Sequence, residues 1–130
     1  MEDCIFCKIA SGAVPSSKIW EDGVLFAFLD INPINPGHTL IIPKAHAENV
    51  FDLDNAEYAA IFKAAKALSF AIQKATHAER IGVIIEGFAV SHAHIHLVPL
   101  NSGGELSFSR AKPASKGELD AMSARIKKHL

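Results

Sequence analysis

The segment His92-Ala93-His94-Ile95-His96-Leu97-Val98-Pro99 alternates histidine with apolar residues and carries the densest chemistry of this sequence. Side chains on a β-strand alternate between its two faces, so the three histidines are predicted to share one face, ~7 Å apart along the chain. The apolar residues between them then face the core. This pattern predicts a strand, residues 94 to 99, near the centre of a sheet.

Three neighbouring imidazoles indicate function more than packing, because burying a row of polar rings without partners costs free energy. Each ring exchanges a proton at about pH 6.5, so one ring can attack phosphorus while a neighbour supplies a proton or binds a phosphate oxygen. Alternate histidines on a strand also suit a catalytic zinc site, and that interpretation stays open. A lone histidine such as His77 or His129 is more often structural.

Outward from this segment, further apolar runs bounded by turn residues predict the rest of a sheet. The runs are Val24 to Leu29, Thr39 to Ile42 and Ile81 to Glu86. Residues 32 to 37, Asn-Pro-Ile-Asn-Pro-Gly, are dense in turn formers, so the first two runs are predicted to form a hairpin with a long loop.

Helices are predicted where apolar residues recur every three or four positions. The main one runs from Asp54 to about Ala75, and Asp54 with Glu57 has the spacing of a capping box. A short helical turn at residues 4 to 10 is expected to end at Gly12. Residues 101 to 114 are predicted as a loop, and Ser115 to Leu130 as an amphipathic helix with a capping pair, Ser115 and Glu118.

Length and composition limit the class of protein. The chain has 130 residues, of which 49% are hydrophobic and 21% charged, which suits one packed domain and argues against disorder. We expect one domain over residues 1–130, with a core at about 4–100 and a C-terminal loop and helix at 101–130. The predicted fold class is α+β, an antiparallel sheet of about five strands with the long helix packed on one face.

Charge and hydropathy exclude two groups of partners. The net charge is -1 and the sequence pI is near 6.6, so the basic excess that drives nucleic-acid binding is missing. No apolar run approaches the roughly 20 residues needed to span a bilayer, and the N-terminus lacks the basic flank and apolar run of a signal peptide. We expect no nucleic acid partner, no membrane and a cytoplasmic location.

The two cysteines, Cys4 and Cys7, stand in a C-x-x-C spacing that occurs in metal sites and redox motifs. A thioredoxin-type motif follows a strand within a βαβ unit, whereas this pair lies almost at the start of the chain. Metal binding is therefore the favoured interpretation. Two ordinary reduced thiols are the alternative.

Several motifs together resemble the histidine triad superfamily, in its Hint-like bacterial branch. The run H-A-H-I-H-L-V fits the pattern that gives the superfamily its name. Residues 4 to 9, C-I-F-C-K-I, residues 26 to 33, F-A-F-L-D-I-N-P, and residues 36 to 44, P-G-H-T-L-I-I-P-K, resemble its other motifs in the same order. The resemblance covers about residues 4 to 100.

The resemblance implies a nucleotide phosphoramidase, hydrolase or nucleotidyl transferase. The middle histidine of the family attacks the α-phosphorus of a purine nucleoside 5'-monophosphate conjugate and becomes nucleotidylated, and His94 holds that place. His96 matches the histidine that contacts the phosphate, His92 is the first histidine of the triad, and His38 matches a histidine of the supporting hydrogen-bond network. A homodimer is also implied.

The resemblance further implies a nucleotide pocket and a structural zinc ion. Base and ribose contacts are expected from Ile5, Phe6, Ile9, Phe28, Asp30 and Ile31, with the Asp30 carboxylate on the ribose hydroxyls. By residue type alone, a core position is the favoured interpretation of Phe6, Ile9 and Phe28. The zinc ligands are expected to be Cys4, Cys7, His46 and His92.

The chain departs from the family pattern just before the triad, at residues 86 to 91, Glu-Gly-Phe-Ala-Val-Ser. Relatives usually have a longer glycine-rich connection there. Phe88 stands where glutamine is expected, and Ala89 stands where a hydroxyl residue would help to protonate the leaving group. Ser91 is expected to point to the opposite face. The departure leaves two alternatives open: a catalytically weak purine-nucleotide-binding regulator, and a metal-dependent hydrolase that uses the triad as ligands.

Overall fold

The computed structural model describes residues 3–130, and within them one five-stranded antiparallel sheet has the order β1-β2-β3-β5-β4. Met1 and Glu2, which belong to the predicted domain and to the N-terminus considered above, lie outside the described residues. The strands are β1 Lys18–Glu21, β2 Leu25–Leu29, β3 Thr39–Pro43, β4 Arg80–Ile84 and β5 Ile95–Leu100. The predicted β2–β3 hairpin is confirmed, with Leu29 opposite Thr39.

Three α-helices accompany the sheet within the same residues. They are α1 Ile5–Ser11, α2 Asn55–Thr76 and α3 Lys116–Lys127, and short 3-10 turns lie at Val50–Asp52 and Phe108–Arg110. The Asp54 side chain caps α2 by accepting the Glu57 N–H over 2.8 Å. Ser115 and Glu118 form the predicted capping box of α3. The predicted α+β fold, with the long helix on one face of the sheet, is confirmed.

Each face of the sheet carries its own apolar cluster. The larger cluster lies under α2 and includes Ile61, Leu68 and Ile72 with Ile41 of β3. The smaller one lies on the opposite face, under α1, and consists of Phe6, Ile9, Phe26, Phe28, Leu40 and Ile42. Every residue of β2 and β3 is buried, because α2 covers one face of these strands and α1 covers the other. Helix α1 therefore lies close to the residues at the ends of both strands.

Gly37 allows the chain to turn tightly into β3. Its φ of +97° favours glycine, and a Cβ atom there would lie 2.7 Å from the Thr76 Cγ2 atom. The next residue, His38, is thereby placed at the start of β3, buried between the sheet and the turn before it.

The strands differ from the predictions in two details. β1 is not among the predicted strands, because only Ile19 of its four residues is fully buried and no alternation is visible in the sequence. The predicted strand at 94–99 begins at Ile95, so His92 and His94 precede it. Their segment is held differently: the Ala93 N–H bonds to the Ala47 carbonyl, outside the strand ladder, over 2.6 Å.

None of the helices in the described part of the chain is both long and apolar enough to cross a membrane.

Candidate active site

His92, His94 and His96 form one row on the α1 face of the sheet, as the alternation predicts, although two of them precede the strand. The rings of His94 and His96 have centroids 5.0 Å apart, and Phe6 of α1 packs edge-on against both His92 and His94. The intervening Ala93, Ile95 and Leu97 belong to the opposite cluster, under α2. All three rings are almost fully buried.

The proton on His94 is fixed by a backbone group. Its Nδ1 atom lies 2.6 Å from the carbonyl oxygen of His92. A carbonyl can only accept, so Nδ1 carries the hydrogen and donates it. In the neutral ring, Nε2 then holds an unshared electron pair, which is the form a nucleophilic imidazole needs.

The proton on His96 is fixed through a second histidine. The Ile34 N–H donates to Nδ1 of His38 over 3.0 Å, so the hydrogen of that neutral ring is on Nε2. The Nε2–H group of His38 then donates to Nδ1 of His96 over 2.9 Å. This chain leaves the Nε2–H group of His96 as a hydrogen-bond donor.

The surroundings keep these two rings neutral. Burial, and then the nearby rings of His38 and His94, lower the pKa of His96 to about 3. Burial also lowers the pKa of His38, although the Asp30 carboxylate opposes that effect. At neutral pH both rings are therefore uncharged, which is the state that the hydrogen-bond chain requires.

Asp30 follows β2 and lies beside this chain. One carboxylate oxygen, Oδ2, is 3.6 Å from Nε2 of His38 and 4.0 Å from Nδ1 of His96. The other oxygen, Oδ1, accepts the Asn32 N–H over 2.8 Å, which fixes the side chain at the start of the loop. The carboxylate is only partly buried, so it can still accept bonds from a ligand.

A cavity of about 370 Å³ opens beside the histidine row between α1 and the sheet. Both His94 and His96 line it. So do all the residues that were predicted to contact a nucleotide, namely Ile5, Phe6, Ile9, Phe28, Asp30 and Ile31. Phe6, Ile9 and Phe28 also belong to the smaller apolar cluster, so the core and pocket interpretations of these residues hold together.

A second cavity, of about 530 Å³, is lined by the same two histidines. Phe88 and Ala89, from the connection before the triad that differs from the family pattern, line this cavity. Phe108, from the segment predicted as a loop, lines it as well. The Phe108 ring packs edge-on against His96 with centroids 5.0 Å apart. No sequence pattern indicated this contact, since Phe108 has no apolar periodicity around it.

The C-terminal helix α3 does not line either of these cavities in the described structure. Its residues Leu119, Met122 and Arg125 instead line a separate cavity of about 250 Å³, next to Gly37 and His38. The segment between β5 and α3 instead contributes Phe108 and Ala111 to the second cavity.

Cys4, Cys7, His46 and His92 bring one ligand atom each within 4.8 Å of one another. The Nδ1 atom of His92 lies 3.2 Å from the Cys4 sulfur and 3.5 Å from the Cys7 sulfur, and His46 Nδ1 lies 3.5 Å from the Cys7 sulfur. The Nε2–H of His92 donates to the Pro43 carbonyl over 2.8 Å, so its Nδ1 electron pair faces the sulfurs.

This cluster could hold a metal ion. Two sulfurs and two imidazole nitrogens are the donor set of a closed tetrahedral zinc site. Burial and the neighbouring Cys4 raise the pKa of the Cys7 thiol, and a divalent cation is the group that stabilises two adjacent thiolates. The four predicted metal residues therefore fit the group for which they were proposed.

A second acidic and imidazole group, Asp30 with His38 and His96, also brings its ligand atoms within 4.8 Å. Two of its nitrogens are already used by the hydrogen bond between His38 and His96. His94 belongs to neither group of potential ligands among the described residues. The three histidines of the triad thus have three different partners and do not converge on one ion.

These observations define a class: a small α+β protein with a buried histidine row between two cavities and a Cys/His cluster at one end. The HIT domain family matches residues 11–103 of the sequence. The chain belongs to this family.

One relative is the adenosine 5'-monophosphoramidase of Schizosaccharomyces pombe, which is 39% identical over 98 residues that cover 74% of this chain and 73% of that protein. A crystal structure of a Hit-like protein from Bartonella henselae has a TM-score of 0.88 and 31% identity, and the match covers 100% of this chain and 98% of that one. A Zn-bound histidine triad family protein from Mycobacterium smegmatis has a TM-score of 0.85 and 28% identity, over 98% and 93% of the two chains.

Proposed function

We propose that this protein hydrolyses, or transfers the nucleotidyl group of, purine nucleoside 5'-monophosphate conjugates through a covalent intermediate on His94. The observation that carries this proposal is the free electron pair on Nε2 of His94, in a ring that lines both cavities. The relative named as an adenosine 5'-monophosphoramidase supports the same reaction class.

In the first step, Nε2 of His94 attacks the α-phosphorus of a phosphoramidate. The Nε2–P bond forms, the bond between phosphorus and the amine nitrogen breaks, and the amine leaves with that electron pair and takes up a proton from cavity water. In the second step, water attacks the phosphorus, releases a proton, and restores His94 as the nucleoside 5'-monophosphate leaves. Dividing the displacement in this way replaces one difficult step by two easier ones.

The neighbouring groups prepare the phosphate for attack. The Nε2–H of His96 donates to a phosphate oxygen whose charge grows in the transition state, and a donor already in place needs no reorganisation. His38 keeps that donor in the correct orientation through its 2.9 Å bond. The carbonyl of His92 holds the His94 ring and stabilises the positive charge that develops on it.

The cavity beside α1 holds the nucleoside in this proposal. A purine ring lies between Ile5, Phe6, Ile9 and Phe28, and its ribose lies near Ile31 with its hydroxyl groups on the Asp30 carboxylate. Aromatic and aliphatic walls with a few polar groups at one end are typical of small-molecule sites. Such walls hold the flat base, while the carboxylate recognises the ribose.

We also propose that Cys4, Cys7, His46 and His92 hold a structural zinc ion. The ion would join α1 to the sheet, which stabilises the wall of the nucleoside cavity. The Zn-bound relative from Mycobacterium smegmatis supports this assignment. A cytoplasmic homodimer, implied by the resemblance, completes the proposal.

The proposal is tested with His94→Ala and a matched control, His129→Ala, which removes an exposed histidine near the C-terminus. Hydrolysis of adenosine 5'-phosphoramidate should be lost in the first variant and unchanged in the second. AMP binding and zinc content should stay close to wild type in both. If the wild-type protein binds AMP without turnover, it is a nucleotide-binding regulator. If zinc is lost together with His94, the metal-dependent hydrolase is favoured.

A further inference from the structure

The 530 Å³ cavity beside His94 and His96 has aromatic walls from two separate segments. Phe88 comes from the connection before the triad, and Phe108 comes from the 3-10 turn after β5. We propose that this cavity is a subsite for the leaving group of the substrate, and that it selects amines that carry an aromatic ring. This inference rests on the proposed function and adds the substrate class.

The reaction geometry identifies what occupies the cavity. Displacement at phosphorus places the attacking and leaving atoms on opposite sides. With the nucleoside in the 370 Å³ cavity and the phosphorus at His94 Nε2, the departing group extends into the remaining space beside the two histidines. The second cavity adjoins the first, since Asp30, Asn32, Ala89, His94 and His96 line both, and it is therefore the space open to the departing group.

Phe108 is a fixed wall. Its ring packs against His96, and the segment that carries it is tied to the rest of the fold. The Arg110 guanidinium donates to the Asn35 side chain over 2.9 Å and lies 3.6 Å from the Glu105 carboxylate. The Ala114 N–H also donates to the Ile31 carbonyl over 3.0 Å. These bonds hold the ring in place before any substrate binds.

Phe88 is the exposed wall, with 88% of its surface open to solvent. A single exposed phenylalanine is ordinary, but this one lines the same cavity as Phe108 and the reacting histidines. A substrate ring in the cavity would cover it, and such aromatic pairs are favourable beyond the area they bury.

The charges around the cavity favour an amine over an acid. Its ionisable lining groups, apart from the two histidines, are the carboxylates of Asp30 and Glu86. A negatively charged leaving group would be repelled by both, whereas an amine, which is neutral after taking up one proton and becomes a cation on taking up a second, would not. An arylalkyl amine therefore fits both the walls and the charge.

The test compares two substrates, adenosine 5'-phosphoramidates of 2-phenylethylamine and of methylamine, by their kcat/KM values. Wild type should prefer the phenylethyl compound by about tenfold. Phe88→Ala and Phe88→Gln should reduce this preference to about twofold. The control Val24→Ala, which trims an exposed apolar residue outside all the cavities described, should keep the full preference. Equal preference in wild type and Phe88→Ala would overturn the inference.

A binding measurement separates this inference from the proposed function. Stable phosphonate analogues, with CH₂ in place of the NH group, are titrated by calorimetry into wild type and Phe88→Ala. Tighter binding of the phenylethyl analogue, lost in Phe88→Ala, supports the subsite even if neither phosphoramidate is hydrolysed. In that case the hydrolase proposal alone fails. Equal binding of both analogues to wild type overturns the subsite, whether or not the substrates turn over.

Discussion

His38 donates its Nε2–H to Nδ1 of His96 over 2.9 Å, and the Ile34 N–H in turn fixes the hydrogen position on His38. His38 immediately precedes β3 and His96 lies on the neighbouring strand β5, so the pairing of these strands sets their distance. This bond determines which nitrogen of His96 is left to donate. The chemistry assigned to His96 therefore depends on a residue that does not itself touch the substrate in the proposal.

Replacement of His38 by alanine tests that dependence. We expect kcat for adenosine 5'-phosphoramidate to fall by about 10- to 100-fold with little change in KM, because losing one orienting hydrogen bond costs about 1–3 kcal/mol. The Ile34 N–H also loses its acceptor, so thermal unfolding of the variant must be measured alongside. A kcat equal to that of wild type in a folded variant would contradict the positioning role.

The lowered pKa of His96 predicts how stability depends on pH. Its pKa is about 3 in the folded protein and has an ordinary value of 6.5. As the pH falls below 6.5 the unfolded chain takes up a proton there while the folded chain does not, so the free energy of unfolding decreases until about pH 3. Above pH 6.5 this contribution is complete.

His96→Asn should therefore show a shallower loss of stability over the same range. Urea unfolding at pH 7, 5 and 4 measures the free energy of unfolding of wild type and variant. Because both proteins have the same Cys/His cluster, its own pH dependence cancels in the comparison. Parallel pH profiles of the two proteins would show that His96 does not contribute. The pKa of His38 is lowered in the same direction, so the variant should keep part of the dependence.

The Cys/His cluster predicts one zinc ion per chain. Cys7→Ser should lower the zinc content measured by atomic emission and reduce the midpoint of thermal unfolding by about 10 °C, because a tightly bound ion stabilises only the folded state. A chelator should have the same effect on wild type. His129→Ala serves as the control. Wild type that is purified with added zinc and still holds none would refute the assignment.

Asp30→Asn tests the predicted ribose contact. An amide keeps the acceptor for the Asn32 N–H but loses the charge that strengthens bonds from hydroxyl groups. We expect weaker binding of AMP by about tenfold, and almost no change for 2',3'-dideoxy-AMP. Calorimetric titration of both nucleotides measures this difference. An equal loss for the two nucleotides would place the effect elsewhere than on the ribose.

Ala89→Ser restores a hydroxyl group at a position that lines both cavities. Turnover of a methylamine phosphoramidate should rise about tenfold, since a basic amine needs a proton as it leaves. The 4-nitrophenyl ester of AMP should be little affected, because its leaving group departs as a stable anion. The measurement is the ratio of kcat for the phosphoramidate to kcat for the ester, compared between wild type and Ala89→Ser. A parallel rise for both substrates would exclude proton transfer as the cause.

The main parts of the fold could be predicted because local patterns and tertiary packing agree. The period of α2 and the turn chemistry before Gly37 each indicated their element, and both capping residues, Asp54 and Ser115, lie one residue before their helices. β1 was missed because a four-residue strand at the sheet edge buries only Ile19 fully. Its pairing with β2 is a tertiary effect that no local period reveals.

The candidate site could be predicted where residues cluster in sequence and not where they meet through the fold. The triad, the C-x-x-C pair and Asp30 all came from short motifs. Phe108 did not, because it reaches His96 through contacts made by folding, such as that between Arg110 and Asn35, which are 75 positions apart. The hydrogen positions on the rings of His38, His94 and His96 could not be predicted either, because they depend on backbone groups that folding brings close.

His92 belongs to two sites at once. Its ring faces the two cysteines, and its backbone carbonyl holds the ring of His94. A change at the two thiols that displaces the His92 ring would therefore reach the His94 ring through the backbone of a single residue. Substitutions at Cys4 and Cys7 thus bear on the orientation of His94 as well as on the cluster itself.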